Sequence, residues 1–250
     1  MKNRERSYYV YKKNELIQKS RYSLTLNQNK LLLYLISKIK PTDTENTIYT
    51  INIKEYIDIC GLNNNGGYYY RSLKSDIKRI ADMSAWIEIN PNEEILFRWL
   101  NNVKIEKNTG NIFVSFHKSV LEYLLNIKRY YTRYSLNNIL AMSCKYSIRV
   151  YELLLSYSYK NEIELPITEF KKRIDAENYE SNSILIKKAL IPAIEEINKY
   201  TDLFIEYRMI KDGRSFSKIH FIIRQKNNLS NVISRQNIKK KLERTLNIDE

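Results

Sequence analysis

Histidine, cysteine, glycine and proline are all scarce in this chain of 250 residues: two, two, five and four. Each scarcity removes a class of chemistry. His117 and His220 each fall in a strand-like pattern, with no His or Cys neighbour at ligand spacing, so a histidine metal centre is not expected. Strand-nicking chemistry built on paired histidines and a tyrosine nucleophile lacks its metal motif. Cys60 and Cys144 each sit in an apolar helical pattern, IDICGL and AMSCKYSI, and read as buried thiols of a reducing cytosol, not as a disulfide framework. No GxxxxGK[ST] loop is present, and Gly66-Gly67 reads only as a loop. Glu195-Glu196 falls on a polar helix face. The expectation is a protein that is not an enzyme and uses no cofactor and no metal.

Long apolar runs are also missing. None spans a bilayer, and the N-terminus MKNRERSYYVYKK lacks a signal-peptide core. A soluble, cytoplasmic protein without a membrane partner is expected.

Lysine and arginine are abundant: 42 against 28 acidic residues, a net charge of +14. Such a surface suits a phosphate polymer. Residues 1–125 carry +6, residues 126–226 carry +6, and residues 227–250 carry +2. That division points to two comparable basic modules. It gives domains at 1–126 and 127–226 with a polar basic tail at 227–250. The tail reads as a frayed terminal helix.

Element signals repeat across the two halves. In the first, Leu31, Leu32, Leu35, Ile36 and Ile39 define a helix face, with Asn27 or Asn29 as cap and Pro41 as stop. Tyr49, Ile51 and Ile53 alternate as a strand, and IKEYIDIC is a short helix ending at Gly61. After NNNGG comes a helix from about Tyr68 to Met83, then two hairpins turning near Pro91 and at Thr109-Gly110. In the second half, SIRVYELLLSYSY is a helix, EIEL a strand, and Pro166 opens the helix ITEFKKRI. A helix from about Ser183 to Tyr200 precedes two strands joined at Lys211-Asp212-Gly213-Arg214, where Asp-Gly marks a hairpin. Pro192 inside that helix predicts a kink or a later start.

Three segments match in the same order. Ile53-Lys54-Glu55-Tyr56 matches Ile167-Thr168-Glu169-Phe170. Tyr69, Leu73, Ile77 and Ile80 match Ile186, Leu190, Ile194 and Ile197, and Trp86-Ile87-Glu88-Ile89 matches Phe204-Ile205-Glu206-Tyr207. The order is that of an α+β chain of two tandem winged helix-turn-helix domains.

A DNA-reading helix needs an apolar face to dock and a face of donors for bases and phosphates. The helix Tyr68–Met83 offers Tyr68, Arg71, Lys74, Ser75, Lys78 and Arg79 opposite its apolar side. The plainer reading is a solvated basic face, and the duplicated context favours DNA. The second module offers Ser181, Asn182, Lys187 and Lys188 on its helix, with Lys211 and Arg214 at the wing tip for phosphate. Tyrosines cluster at Tyr8-Tyr9-Val10-Tyr11, Tyr68-Tyr69-Tyr70 and Tyr130-Tyr131 with Tyr134. Beside basic residues they can stack on single-stranded bases, but core and interface packing is the reading taken for most of them.

The segments ILFRWLNNV, GNIFVSFHKSVLEYLL and YYTRYSLNNILAMSCKYSIRVYELLLSY resemble the replication initiators of iteron-containing bacterial plasmids. The pattern Tyr134-Ser135-Leu136 followed by Ser147-Ile148-Arg149-Val150-Tyr151-Glu152-Leu153-Leu154 is especially similar, and a looser likeness runs from Ser23 to Ile223. The resemblance implies two winged-helix domains related by pseudo-two-fold symmetry. It implies monomers that bind directly repeated origin sites (iterons) on double-stranded DNA. It further implies homodimers, formed through the N-terminal domain, that bind an inverted-repeat operator and repress their own gene. Opening of an AT-rich region and contacts with a host replication initiator and replicative helicase complete the set. Lys187 and Lys188 match basic recognition-helix positions of the family. Ile186 and Ser181 depart from residues that are basic in some relatives.

A bacterial, plasmid-associated replication initiator is therefore expected. The alternatives are a winged-helix transcriptional repressor without a replication role, and a structural or membrane-associated protein acting through charge alone.

Overall fold

The computed structural model describes residues 8–62 and 67–247. Residues 63–66, most of the expected NNNGG loop, lie outside the described residues, as do 1–7 and 248–250.

The chain begins with β1 (Tyr9–Lys13), α1 (Asn14–Lys19) and β2 (Ser20–Arg21). Then α2 (Leu26–Ile36) is capped by Thr25, whose side chain accepts from the Gln28 N–H while Gln28 accepts from the Thr25 N–H. Asn27 and Asn29, expected as caps, lie inside the first turn because this reciprocal box starts the helix earlier. The helix ends at Ile36, ahead of Pro41, so Ile39 lies beyond it. β3 (Tyr49–Asn52) feeds α3 (Ile53–Ile59), with the Asn52 side chain accepting from the Glu55 N–H. α4 (Gly67–Asp82) follows, then β4 (Ser84–Asn90), β5 (Glu93–Arg98), β6 (Leu100–Glu106) and β7 (Asn111–Phe116). α5 (Lys118–Leu121), β8 (Tyr131–Ser135) and α6 (Asn137–Leu140) connect to the second half. That half comprises α7 (Ser147–Ser156), a 3-10 turn, β9 (Glu162–Pro166), α8 (Ile167–Ile174) and α9 (Asn182–Leu185). A π-helical turn (Ile186–Leu190) leads into α10 (Ile191–Tyr200), β10 (Leu203–Asp212), β11 (Ser215–Gln225) and α11 (Asn228–Asn247).

Each half builds one winged sheet in the same way. The strand ahead of the second helix pairs with the last strand of the wing hairpin: β3-β7-β6 in the first, β9-β11-β10 in the second, all antiparallel. The internal matches at the second and third helices hold: Ile53, Tyr56, Ile167 and Phe170 are buried, as are Leu73, Ile77, Ile80, Leu190, Ile194 and Ile197, with Tyr69 and Ile186 both half-buried. The match of Trp86–Ile89 with Phe204–Tyr207 does not. β4 pairs with β2 and β5, not with β3, so the counterpart of β10 is β6. The β4–β5 hairpin is an insertion whose alternation copies that of a wing strand.

Pro192 neither delays the third helix of the second module nor breaks it. The helix starts at Asn182, and the π-helical turn immediately precedes the α10 segment that has Pro192 in its first turn. Proline lacks an N–H and crowds the carbonyl four residues back. Widening the preceding turn accommodates both.

The two halves are locked by buried polar groups. Lys12 on β1 reaches both carboxylate oxygens of Glu152 on α7, at 2.9 and 3.1 Å, and both side chains are fully buried. Tyr134 donates to the same carboxylate at 2.6 Å. One turn away, Arg149 donates to the Ser20 carbonyl, the Tyr22 hydroxyl and the Arg173 carbonyl. The β1–β8 pairing also crosses the expected boundary at 126–127. Tyr134, Arg149, Tyr151 and Glu152, the residues most like the plasmid family, are thus buried scaffold.

The tail is not frayed over its described residues. Lys226 donates to the carbonyls of Asn198 and Thr201 and to the Ser234 hydroxyl, and Ser234 and Ile238 are buried. Farther along, Leu242 meets Gly61, the residue that ends the turn after α3. Gly61 has φ +63°, and a Cβ there would stand 2.9 Å from the Leu242 carbonyl oxygen. A polar helix with few apolar residues carries little amphipathic signal, which is why its docking was illegible.

Two stability predictions follow from these contacts. Lys12→Met strands the Glu152 carboxylate in the interior and is expected to cost about 3–5 kcal/mol in urea unfolding; a loss below about 1 kcal/mol would mean that the pair does not tie the halves. Gly61→Ala is expected to cost roughly 1–3 kcal/mol through the left-handed backbone and the Leu242 contact. An unchanged midpoint would show that α11 is not seated there.

Candidate nucleic-acid interface

α4 buries Leu73, Ile77 and Ile80 against the first half, with Tyr69 half-buried on the same side. Each of those aliphatic side chains contributes about 1.5–3 kcal/mol on burial. The cost of exposing them fixes which way the helix faces. The opposite side is open: Tyr68, Arg71, Lys74, Ser75, Lys78 and Arg79 are all exposed. Lys78 forms an ion pair with Asp82 one turn on, which leaves Arg71, Lys74 and Arg79 as the cations of this face with no carboxylate partner among the described residues. Asp76, at the edge of this helix, accepts from Gln28 at 3.1 Å, and burial raises its carboxyl above the usual range.

The start of α4 lies beside the first wing. Tyr70 shares a cleft with Asn52, Lys54 and the turn residues Thr109 and Gly110, and the Gly110 carbonyl accepts from the Ile53 N–H. Lys107 in that turn is exposed, and Lys104 on β6 is exposed and paired with Glu106. These wing lysines were missed in the sequence. The turn at Thr109-Gly110 was legible, but the extra β4–β5 hairpin hid which of the two hairpins is the wing.

The second half repeats the arrangement. Leu185, Ala189, Leu190, Ala193 and Ile197 are buried, Ile186 is half-buried, and Lys187 and Lys188 are exposed on the π-helical turn. Ser181 is exposed. Asn182, half-buried, donates from its amide to the Phe216 carbonyl at 3.1 Å, tying the helix start to the wing strand. Lys211 is exposed with its ammonium 5.3 Å from the Phe216 ring centre, and Arg214 is exposed in the turn. Asn182, Lys211 and Phe216 therefore meet where helix and wing join. A helix start also directs unpaired N–H groups outward, which suits an anion.

Neither histidine is among the residues of these surfaces, and only one of the two lies in a strand. His117 follows β7 and caps α5, its ring nitrogen accepting from the Ser119 N–H at 3.2 Å. That corrects its placement in a strand, since the chain turns to enter a helix there. His220 does lie in β11, where Arg208 donates to Nδ1 and Nε2 faces Glu162. Among the described residues no group of three or more His, Cys, Asp and Glu side chains stands ready to hold a metal. Burial pushes the Cys60 thiol up to about 11, and it raises the hydroxyls of Tyr56, Tyr134 and Tyr151 well above the ordinary range. None of these groups is an activated nucleophile. No helix among the described residues is long and apolar enough to cross a membrane.

Comparison with known proteins agrees with this geometry. A replication initiation protein of Escherichia coli is 29% identical over 209 residues, covering 78% of this chain. The chain spans 63% of the length of that relative. The solved structure of the Pi initiator protein in complex with iteron DNA overlays 90% of this chain and 100% of that one, with a TM-score of 0.70 and 18% identity, a likeness of fold. The family model described as "Initiator Replication protein, WH1" matches residues 9–155, and "Initiator Rep protein, WH2" matches residues 166–223. With the first model alone spanning more than half of its length, the chain belongs to the initiator replication protein family, carrying that family's tandem WH1 and WH2 winged-helix domains.

Proposed function

We propose that the chain initiates plasmid replication by binding repeated duplex sites at the origin, one winged-helix module per stretch of groove. The observation that carries this reading is the duplicated pairing of an exposed cationic helix with a wing, on a chain of net charge +14. The same reading assigns base contacts to Arg71 and Lys188 and phosphate contacts to Lys211 and Arg214. Tyr68, Lys74, Ser75, Lys78, Arg79, Ser181, Asn182 and Lys187 surround them. No cofactor and no covalent step are needed.

We also assign to the chain a homodimer in equilibrium with monomer, and contacts with the host initiator and helicase. Support for self-association lies on the inserted hairpin. Trp86 and Leu96 face each other across β4 and β5 on its outer side, 48% and 47% exposed, and β5 is the free edge of its sheet. Edge strands with apolar faces are ready pairing surfaces.

The site can be recovered by selection from a random duplex library and compared with the DNA flanking the gene. Short direct repeats carrying the selected sequence, and replication of a plasmid that depends on both, are the expected result. Selection without a consensus would leave only charge-driven binding and would overturn the reading.

Arg71→Ala or Lys188→Ala should weaken binding to the selected site by about 1–3 kcal/mol more than binding to random duplex. Equal losses on both would make that residue a phosphate contact. Lys211→Ala or Arg214→Ala should weaken both and lower the slope of log affinity against log salt by about one each. An unchanged slope would take the wing off the DNA.

A further inference from the structure

We propose that the outer face of the β1–β8 ribbon binds single-stranded DNA, by stacking bases on its tyrosines. None of its residues is among those assigned to the duplex above. The antiparallel register pairs Tyr11 with Arg133 and Lys13 with Tyr131. Side chains alternate faces along a strand. Val10, Lys12, Thr132 and Tyr134 point inward and are buried. Tyr9, Tyr11, Tyr131 and Arg133 therefore share the other face.

The sequence YVYKK of one strand and YTRYS of the other contain no acidic residue. The Arg133 guanidinium lies 4.0 Å from the Tyr9 ring centre and 5.7 Å from that of Tyr11. Among the described residues no carboxylate pairs with it. The rings of Tyr11 and Tyr131 lean together with centroids 6.1 Å apart and remain 38% and 43% exposed. At the end of the ribbon Tyr130 adopts φ +53°, and its side chain is 84% exposed. A left-handed backbone is costly for a bulky residue. Here the Asn14 N–H holds it by donating to the Tyr130 carbonyl at 2.7 Å. Lys128 and Arg129, both exposed, come just before.

The exposed rings of Tyr11, Tyr130 and Tyr131, beside cations with no carboxylate partner among the described residues, suit an unpaired strand. Bases supply π faces to the rings, and phosphates answer the cations. A duplex hides its base faces, so it could use only the charge. An acidic protein partner would meet the charge but leave the rings without partners of their own shape.

The test uses the full chain and a labelled oligodeoxythymidine of about 16 nucleotides, an abasic strand of the same length, and the duplex selected above. Fluorescence anisotropy should report binding of the thymidine strand in preference to the abasic one. Tyr11→Ala with Tyr131→Ala should weaken the single strand at least about tenfold and leave the duplex affinity unchanged. Tyr11→Phe with Tyr131→Phe, which keeps the rings and is safe for folding, should bind as the parent does. Arg133→Gln should weaken the single strand with folding unaffected. Equal affinity of the parent for thymidine and abasic strands would overturn the proposal. So would unchanged single-strand binding in the alanine variant, or equal losses on strand and duplex in a folded variant. A shift in sedimentation with no change in strand binding would assign the ribbon to contacts between copies and likewise overturn it. Failure of the duplex to yield a consensus would bear on the previous proposal alone, because the thymidine and abasic arms do not depend on it.

Discussion

Lys12 and Glu152 are oppositely charged, fully buried, and contributed by opposite halves of the chain. Taking either ion out of water alone would cost several kcal/mol. The two halves must therefore meet in one arrangement, with the ammonium on the carboxylate and the Tyr134 hydroxyl satisfying a further lone pair. Arg149 adds a second geometric demand, since its planar donors reach two backbone carbonyls and a hydroxyl at once. An apolar contact tolerates sliding; these bonds do not. These bonds bind the N-terminal ribbon to α7, and through the Arg173 carbonyl Arg149 also touches α8.

Within each module the logic is simpler. Three or four aliphatic side chains pin the third helix to the core, and the cationic residues are left outside by default. The wing abuts the start of that helix in both copies, through Thr109 and Gly110 beside Tyr70 and through Phe216 beside Asn182. The exposed groups of helix and wing are thereby brought onto one surface, the arrangement that the proposed division between base and phosphate contacts requires.

Much of this could be read from residues alone. The apolar spacing of Leu73, Ile77 and Ile80 fixed the outward face of α4, and Asp212-Gly213 fixed the second wing, because both signals are local. What escaped depended on partners distant in sequence. The alternation in Trp86–Ile89 is that of any half-buried strand, so it could not say that β4 pairs with β2 rather than β3. The π-helical turn ahead of Pro192 is a backbone adjustment to a missing donor, and hydrophobic pattern does not record it. The docking of α11 rests on Ile238, Leu242 and a glycine far upstream. The family-like motif around Arg149 and Glu152 was visible as a motif, but its work is structural, joining halves that sequence treats as separate.

The proposed mode of binding has both modules on one duplex at once. Hydroxyl-radical footprinting of the monomer on the selected duplex tests it directly. The account predicts two protected segments per bound monomer, separated by the same spacing at every repeat. A single protected segment, or a spacing that varies from site to site, would contradict it.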